Sequence, residues 1–391
     1  MPELDYRTAG ESHGKACVVI VEGMPAGLDV DLDLIDAELR RRQGGYGRGG
    51  RQQIEKDSLD VLSGLRAGRT IGSPIVGLVV NKDHRIDSAP EIHRPRPGHA
   101  DLAGSVKGLT ADCRETLERA SARETAARVA AGALAKCLLT EFDIEVVGFV
   151  TRIGPVTAQV DDGQTADALR TQRDANEVYC PDTSVTKAMV ETIRQAKKDK
   201  DTRGGLVEVR AFGLPPGLGS CWRWQDKLDG RIMQAVGSIQ AIKGVEIGLG
   251  FGCADRYGSE VHDEIDYDPA LLATPALGFT RRSNNAGGLE GGMTNGQPLV
   301  VRAVMKPIST LLKGLDSVNL LTKKPQRSDY ERSDVCAVPA ASVVAENVVA
   351  FEIARALLEK FSGDTLIELR AAYDFYLNTA RRLGQNPSSI D

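Results

Sequence analysis

The chain has 391 residues, a formal net charge of −5 and 41% hydrophobic residues. This is enough apolar material for one large domain or two ordinary ones, and the acidic balance argues against broad binding to nucleic acid or an anionic membrane. The N-terminus has no basic-then-apolar signal and no apolar run approaches membrane-spanning length, so the expectation is a cytoplasmic protein. The seven cysteines are scattered and form no CxxC pair, which indicates neither zinc nor a disulfide framework.

In chain order, residues 6–15 read YRTAGESHGK and set His13 between Ser12 and Gly14, just before the strand CVVIVEG. A histidine there is a candidate general acid, because imidazole exchanges its proton near neutrality. A capping or packing histidine is the alternative. The turn GMPAGL follows at residues 23–28. After it, DLDLIDAELRRR has helical spacing, with Asp31 as its cap and Gly44 as its stop. Leu32, Ile35 and Leu39 form an apolar stripe, and Arg42 falls in register with them.

Residues 40–51 read RRRQGGYGRGGR, five arginines and five glycines with no acid. Guanidinium forks fit phosphate and carboxylate, and glycine lets backbone approach a ligand closely. This pattern describes a holder for a small, highly anionic molecule. Arg42, aimed at the core, needs a buried anion, and Arg48 in its glycine-flanked loop can face the same ligand. Two alternatives stand beside this: a solvated basic helix end for Arg40 and Arg41, and an RNA-binding arginine–glycine box.

The next stretch, SLDVLSGLRAGRTIGSPIVGLVVNKD, reads as a hairpin-rich sheet. EIHRPRPGHADLAG follows as a loop stiffened by two X-Pro pairs. It carries a second glycine-preceded histidine, His99, near Arg94 and Arg96. His84 and His93 lie in more polar sequence and read as surface residues. ERASARETAARVAAGALAKCLLTEF is the clearest helix, with Ser121 and Glu124 as a capping box. Arg119, Ala120 and Ser121 mark its positive end, where free N–H groups attract phosphate, and Arg123 and Arg128 add charge. An ordinary capped helix is the alternative.

Further helices are expected at 182–198, running into KKDKDTR and a turn at Gly204 and Gly205, and at 228–241, carrying Ser238, Gln240 and Ala241 near its end. Between them VEVRAFGLPPGLGS repeats the strand–turn–helix device, with GLPPGL at 213–218, which implies an internal duplication about a pseudo-two-fold. Residues 280–310 form a glycine-rich loop, a hairpin at Asn295 and Gly296, and a strand ending in KPIST. Neither a P-loop nor a dinucleotide fingerprint is present. YERSDVCAVPAAS places Arg332 and Asp334 together before a helix at 345–361, and Asp334 is either a base or an arginine partner. A last helix at 366–383 ends at Gly384.

TAGESHGK, RRR with GYGRGGR, RPRPGHAD, RASARETAARVAAG, NNAGGLEGGMTNG, MKPIST and RSDVCAVPA run in that order from residue 8 to about 350. Together they closely resemble chorismate synthase. The resemblance implies an α+β fold, a β-α-β sandwich of two antiparallel sheets enclosing helices. It also implies one domain over 1–391, with pseudo-repeats at about 1–195 and 196–363 and a loose tail at 385–391, usually as a homotetramer. The implied activity is a phosphate lyase: the anti-1,4-elimination of phosphate from 5-enolpyruvylshikimate 3-phosphate to chorismate, last step of the shikimate pathway in aromatic amino acid biosynthesis.

Reduced FMN is the implied cofactor, with NADPH as a candidate reductant; no nucleic acid or membrane partner is implied. Carried over by motif, Arg42 and Arg48 match arginines that contact NADP and line the substrate pocket. Arg119, Ala120, Ser121, Gln240, Ala241, Gly291, Lys306, Pro307, Ile308, Ser309, Thr310 and Arg332 match flavin-binding positions. His13 matches the histidine that protonates the leaving phosphate, and His99 the one that protonates reduced flavin. Asp334 matches the carboxylate that works with flavin N5 in removing the C6 proton. Arg203, where the family pattern leads one to expect an apolar residue, is a departure.

Overall fold

Two antiparallel sheets enclose a pair of buried helices in the computed structural model, which describes residues 3–50, 55–331 and 333–383. The first sheet has the order Asp5–Ala9, Ala16–Glu22, Ile75–Val80, Asp60–Ser63. In Ala16–Glu22 the side chains of Cys17, Val19 and Val21 are buried and their neighbours are not, the alternation of a sheet covered on one face. The second sheet has the order Ile242–Ile247, Leu299–Met305, Gly205–Phe212, Glu145–Ile153, Val156–Thr157. Its strand Glu145–Ile153 is covered on both faces, by the long helix Val338–Phe361 and by Ala166–Asp174, and reads as a nearly continuous apolar run.

The alanine-rich helix Thr125–Thr140 packs on Ala16–Glu22 and against Val338–Phe361. Both helices are buried almost all round, as helices without a polar face must be. Small residues let them approach. A Cβ on Gly132 would lie 2.2 Å from the Asn347 carbonyl oxygen. Tyr6 meets Phe351 edge to face at 4.6 Å, tying the first strand to the long helix. Among the described residues no helix is long and apolar enough to cross a membrane.

Several boundaries differ from expectation for local reasons. The long helix begins at Val338 rather than 345, with Pro339 in its first turn, where a missing N–H is cheap. The helix expected from 182 begins at Thr186, because Asp182 accepts from the Ser184 N–H and hydroxyl in a turn of its own. Leu228–Gly237 stops short of 241, where Ala241 takes a left-handed backbone. Ser121 caps only the 3-10 turn Ala122–Glu124, and no capping box forms; the Glu124 carboxylate instead accepts from Thr8, Arg128 and Gln240.

The hairpin turn is made by Gly291 and Gly292, between Leu289–Glu290 and Met293–Thr294, not by Asn295 and Gly296. Gly205 opens a strand rather than a turn, and a Cβ there would lie 2.0 Å from the Arg152 carbonyl oxygen. The last helix is Leu366–Ala380. Gly384 and the tail at 385–391 lie outside the described residues.

The two proline–glycine turns carry matching hydrogen bonds. Leu28 N–H donates to Thr70 Oγ1 at 3.0 Å, and Leu218 N–H to Thr294 Oγ1 at 2.9 Å. Each threonine hydroxyl then donates at 2.6 Å to a proline carbonyl, Pro25 in one turn and Pro215 in the other. Each turn follows a strand and precedes a helix.

Candidate active site

Where the helix Leu32–Gln43 ends and the alanine-rich helix begins, a cavity of about 390 Å³ opens. Its walls include His13, Arg48, His99, Ser121, Gln240 and Lys306. Ends of several helices and strands meet there, so backbone polar groups not used inside elements collect around one space. Ala241, at φ +67, accepts from the Lys306 N–H at 3.0 Å and so joins Gln240 and Ala241 to the end of strand Leu299–Met305. Lys306 Nζ in turn donates to the Gly98 carbonyl, and burial, with the charge of Lys243, pushes its ammonium down.

Each wall histidine is backed by a carboxylate. His13 Nδ1 lies 2.9 Å and 3.1 Å from the two oxygens of Glu118, and its backbone N–H donates to the same group at 2.7 Å. Burial would raise Glu118, but the hydrogen bonds and charge of His13, with Arg114, outweigh it and hold the carboxyl below its ordinary range. His99 Nδ1 makes a short contact with Asp101 Oδ1. Arg96 grips the same carboxylate through Nε at 2.8 Å and Nη2 at 3.0 Å, and reaches Thr310 Oγ1 through Nη1 at 2.9 Å. Burial opposes ionisation of Asp101, yet His99 and Arg96 hold it well below the usual carboxylate range.

The buried anion that Arg42 requires is supplied by the chain. Arg42 is 3% exposed and donates to Asp57 Oδ2 at 2.6 Å. Arg123 donates to both oxygens of Asp57 at 2.7 Å. Arg48 donates to Asp334 Oδ2 at 2.6 Å, while Oδ1 accepts from the Gly49 N–H at 2.7 Å. Among the described residues, six cations line the cavity (Arg42, Arg48, Arg85, Arg96, Arg123 and Lys306) against four carboxylates (Glu55, Asp83, Glu331 and Asp334). Asp57 and Asp101 stand behind this wall and pair with three of the six, but Arg42 and Arg123 share the single Asp57, so positive charge is left at the cavity for an anion. A larger, more open cleft of about 890 Å³ lies across Arg48 and is lined by Tyr46, Tyr179 and Tyr330. It holds neither histidine and not Asp334, so the smaller cavity is the site.

Ala120, Ser121, Gln240, Ala241, Lys306, Ile308, Ser309 and Thr310 all border this cavity, as do Arg42, Arg48, His13, His99 and Asp334. Pro307 does not; it is exposed. Arg119 turns its guanidinium to the carbonyls of Thr8 and Gly10. Gly291 sits in its hairpin turn, away from the wall. Arg332 lies outside the described residues. His84 is exposed as expected, but His93 is half-buried, with Nδ1 2.9 Å from the Ala111 carbonyl.

Residues 4–358 match the family described as chorismate synthase. The chain belongs to the chorismate synthase family. A chorismate synthase from Symbiobacterium thermophilum is 55% identical over 394 residues, covering 96% of this chain and 99% of the relative. One from Desulforamulus reducens is 52% identical over 392 residues, covering 97% and 100%. A crystal structure of a chorismate synthase matches with a TM-score of 0.80 at 40% identity, covering 98% of this chain and 100% of that one. The sandwich of two antiparallel sheets around helices is thus the chorismate synthase fold.

The chorismate synthase family requires a reduced flavin, and the cavity suits one. Gln240 donates through Nε2 to Glu124 at 3.1 Å, while its buried Oε1 accepts nothing among the described residues. That carbonyl wants an N–H or O–H donor, which a flavin ring or ribityl chain carries. The cation excess suits its phosphate beside an anionic substrate. Glu118, Asp101 and Asp57 are partners that sequence reasoning missed. Asp101 was within reach of it, two residues past His99, whereas no spacing links Glu118 to a histidine 105 positions away.

Proposed function

We propose that this cavity performs the family reaction: loss of phosphate from 5-enolpyruvylshikimate 3-phosphate by anti-1,4-elimination, giving chorismate. The chain is an enzyme, a phosphate lyase, and it closes the shikimate pathway. The observation that carries the site assignment is the meeting of two carboxylate-backed histidines and a carboxylate with an excess of arginines around one space. Arg42 and Arg48 bind the substrate anions, or NADP. His13 gives a proton to the departing phosphate oxygen as the C–O electron pair leaves with it. Asp334 receives the C6 proton; its ion pair with Arg48 and the Gly49 N–H hold the carboxylate in place. His99, fixed by Asp101 and Arg96, holds the proton exchanged with the flavin.

The flavin is read as FMN, with NADPH as a candidate reductant. Ala120, Ser121, Gln240, Ala241, Lys306, Ile308, Ser309 and Thr310 would hold it, and Arg119, Gly291, Pro307 and Arg332 complete the positions matched by motif. When bound in reduced form it supplies electron density to the substrate as the C–O bond breaks, and returns unchanged. The family resemblance also supports a homotetramer in the cytoplasm. The matched turns support one domain built of two pseudo-repeats.

His13→Ala should lower turnover by roughly 10²–10⁴-fold while substrate and flavin still bind. Near-normal turnover removes His13 from the chemistry. Anaerobically, one charge of reduced FMN should support many turnovers; oxidation of one flavin per chorismate would show a true redox reaction and overturn the reading.

A further inference from the structure

The His13 imidazole is held differently from a side chain that merely lines a wall. Its Nδ1 end meets Glu118, whose side chain has no solvent exposure. The same carboxylate receives the His13 backbone N–H, and the Glu118 carbonyl receives the Ser12 N–H at 3.0 Å. Three hydrogen bonds therefore staple the histidine turn to the helix Arg114–Arg119, which leads into the alanine-rich helix. On the far side, Nε2 lies 3.9 Å from Asp83 Oδ2, and Asp83 borders the cavity. Arg85 donates its backbone N–H to the His13 carbonyl at 2.9 Å, and Arg114 Nη1 lies 3.5 Å from Glu118 Oε1.

We propose that Glu118 is a positioning residue for the elimination: it fixes the hydrogen of His13 on Nδ1, so that Nε2 alone trades a proton with the departing phosphate. This rests on the reading of His13 as the proton donor. An ionised carboxylate only accepts hydrogen bonds, so an imidazole nitrogen facing it must carry hydrogen. When the C–O bond breaks, its electron pair stays with the phosphate oxygen, which takes the proton from Nε2. The ring is left neutral with its remaining hydrogen on Nδ1, already paired with Glu118, so no tautomer change is needed. Without Glu118 the neutral ring divides between two tautomers and can turn about its χ angles, and each turnover must wait for the competent one.

The test is nitrogen-15 NMR of the histidine rings in the whole enzyme, combined with steady-state kinetics. The five histidines are few enough to resolve, and His13 is assigned by its loss in His13→Asn. In the unmutated protein, neutral His13 should show hydrogen on Nδ1. Glu118→Gln should give a mixed tautomer signal and lower kcat by about 10–100-fold, with KM for the substrate within about twofold, and Glu118→Asp should recover part of both. Hydrogen on Nε2 in the unmutated protein overturns the proposal whether or not any variant folds. A Glu118→Gln enzyme with full kcat overturns it, and so does one with lowered kcat and an unchanged tautomer, which would mark a purely structural role. Should His13→Asn keep full turnover, the reading of His13 fails instead, and the tautomer signal still shows whether Glu118 governs the ring.

Discussion

Arg41 and Arg42 leave the same helical turn for two different buried carboxylates. Arg41 donates to Glu346 at 2.6 Å and to Glu38 at 2.5 Å, in a cluster completed by Lys136 and by Arg173, which also pairs with Asp174. Three cations meet three carboxylates there, and Glu346 also accepts the Gly148 N–H at 2.8 Å. Arg42 reaches Asp57, shared with Arg123, so two cations face one carboxylate at the cavity wall. Among the described residues both arginines leave Nε without an acceptor, so hydrogen-bond completeness does not separate them. Charge balance does. A balanced buried cluster holds elements together, whereas one with spare positive charge beside a cavity has work left for a ligand.

The largest expected break is in the balanced cluster. Glu346→Gln would leave Arg41, Lys136 and Arg173 short of an anion, at a cost of about 3–5 kcal/mol. Urea unfolding should show that loss, while turnover per folded molecule stays near normal. Equal damage to both would mean the two clusters are not separable. Next in size, Arg48→Ala should weaken substrate binding by roughly 1.5–3 kcal/mol with little loss of stability. Calorimetry showing unchanged affinity would remove Arg48 from the site.

Smaller still is the effect of inorganic phosphate. At ten times its Kd it should add about 1.4 kcal/mol to the stability of the unmutated protein and less to Arg48→Ala; no rise in melting temperature would deny the spare charge.

The gentlest test changes only pH. Burial opposes ionisation of Glu346, Asp57, Asp101 and Glu118, but their cationic partners and hydrogen bonds prevail and depress all four carboxyls in the folded state. Depressed folded values mean that this stability is present above the unfolded carboxylate range, about pH 4, and is lost as pH falls through the lower folded values. Melting temperature should therefore vary little between about pH 7 and 5 and drop below about 4, with a shallower drop in Glu346→Gln. A steady decline from neutrality would contradict these assignments.

Much of the site was legible because its residues announce themselves locally. Arg42 in an apolar stripe demands a buried anion, and a capped helix start following Arg119 marks a polar junction. The alanine-rich helix was legible by composition, but its start was not: Ser121 and Glu124 have capping-box spacing, and tertiary partners claim Glu124 first. The correspondence of Thr70 with Thr294 was also hidden, since one hydroxyl is a weak signal until both are seen closing the same turn.

By itself the sequence determined the family, the order of elements and most of the groups that meet at the cavity. Side-chain chemistry and short-range spacing are properties of the chain, and they survive in its text. The tertiary structure alone decided which carboxylate each cation and histidine received. Glu118 reaches His13 across 105 positions, and Glu346 reaches Arg41 across 305. Arg41 and Arg42 read alike in sequence. They point about 100° apart on a helix of 3.6 residues per turn, and what each one meets in that direction is set by packing between distant segments.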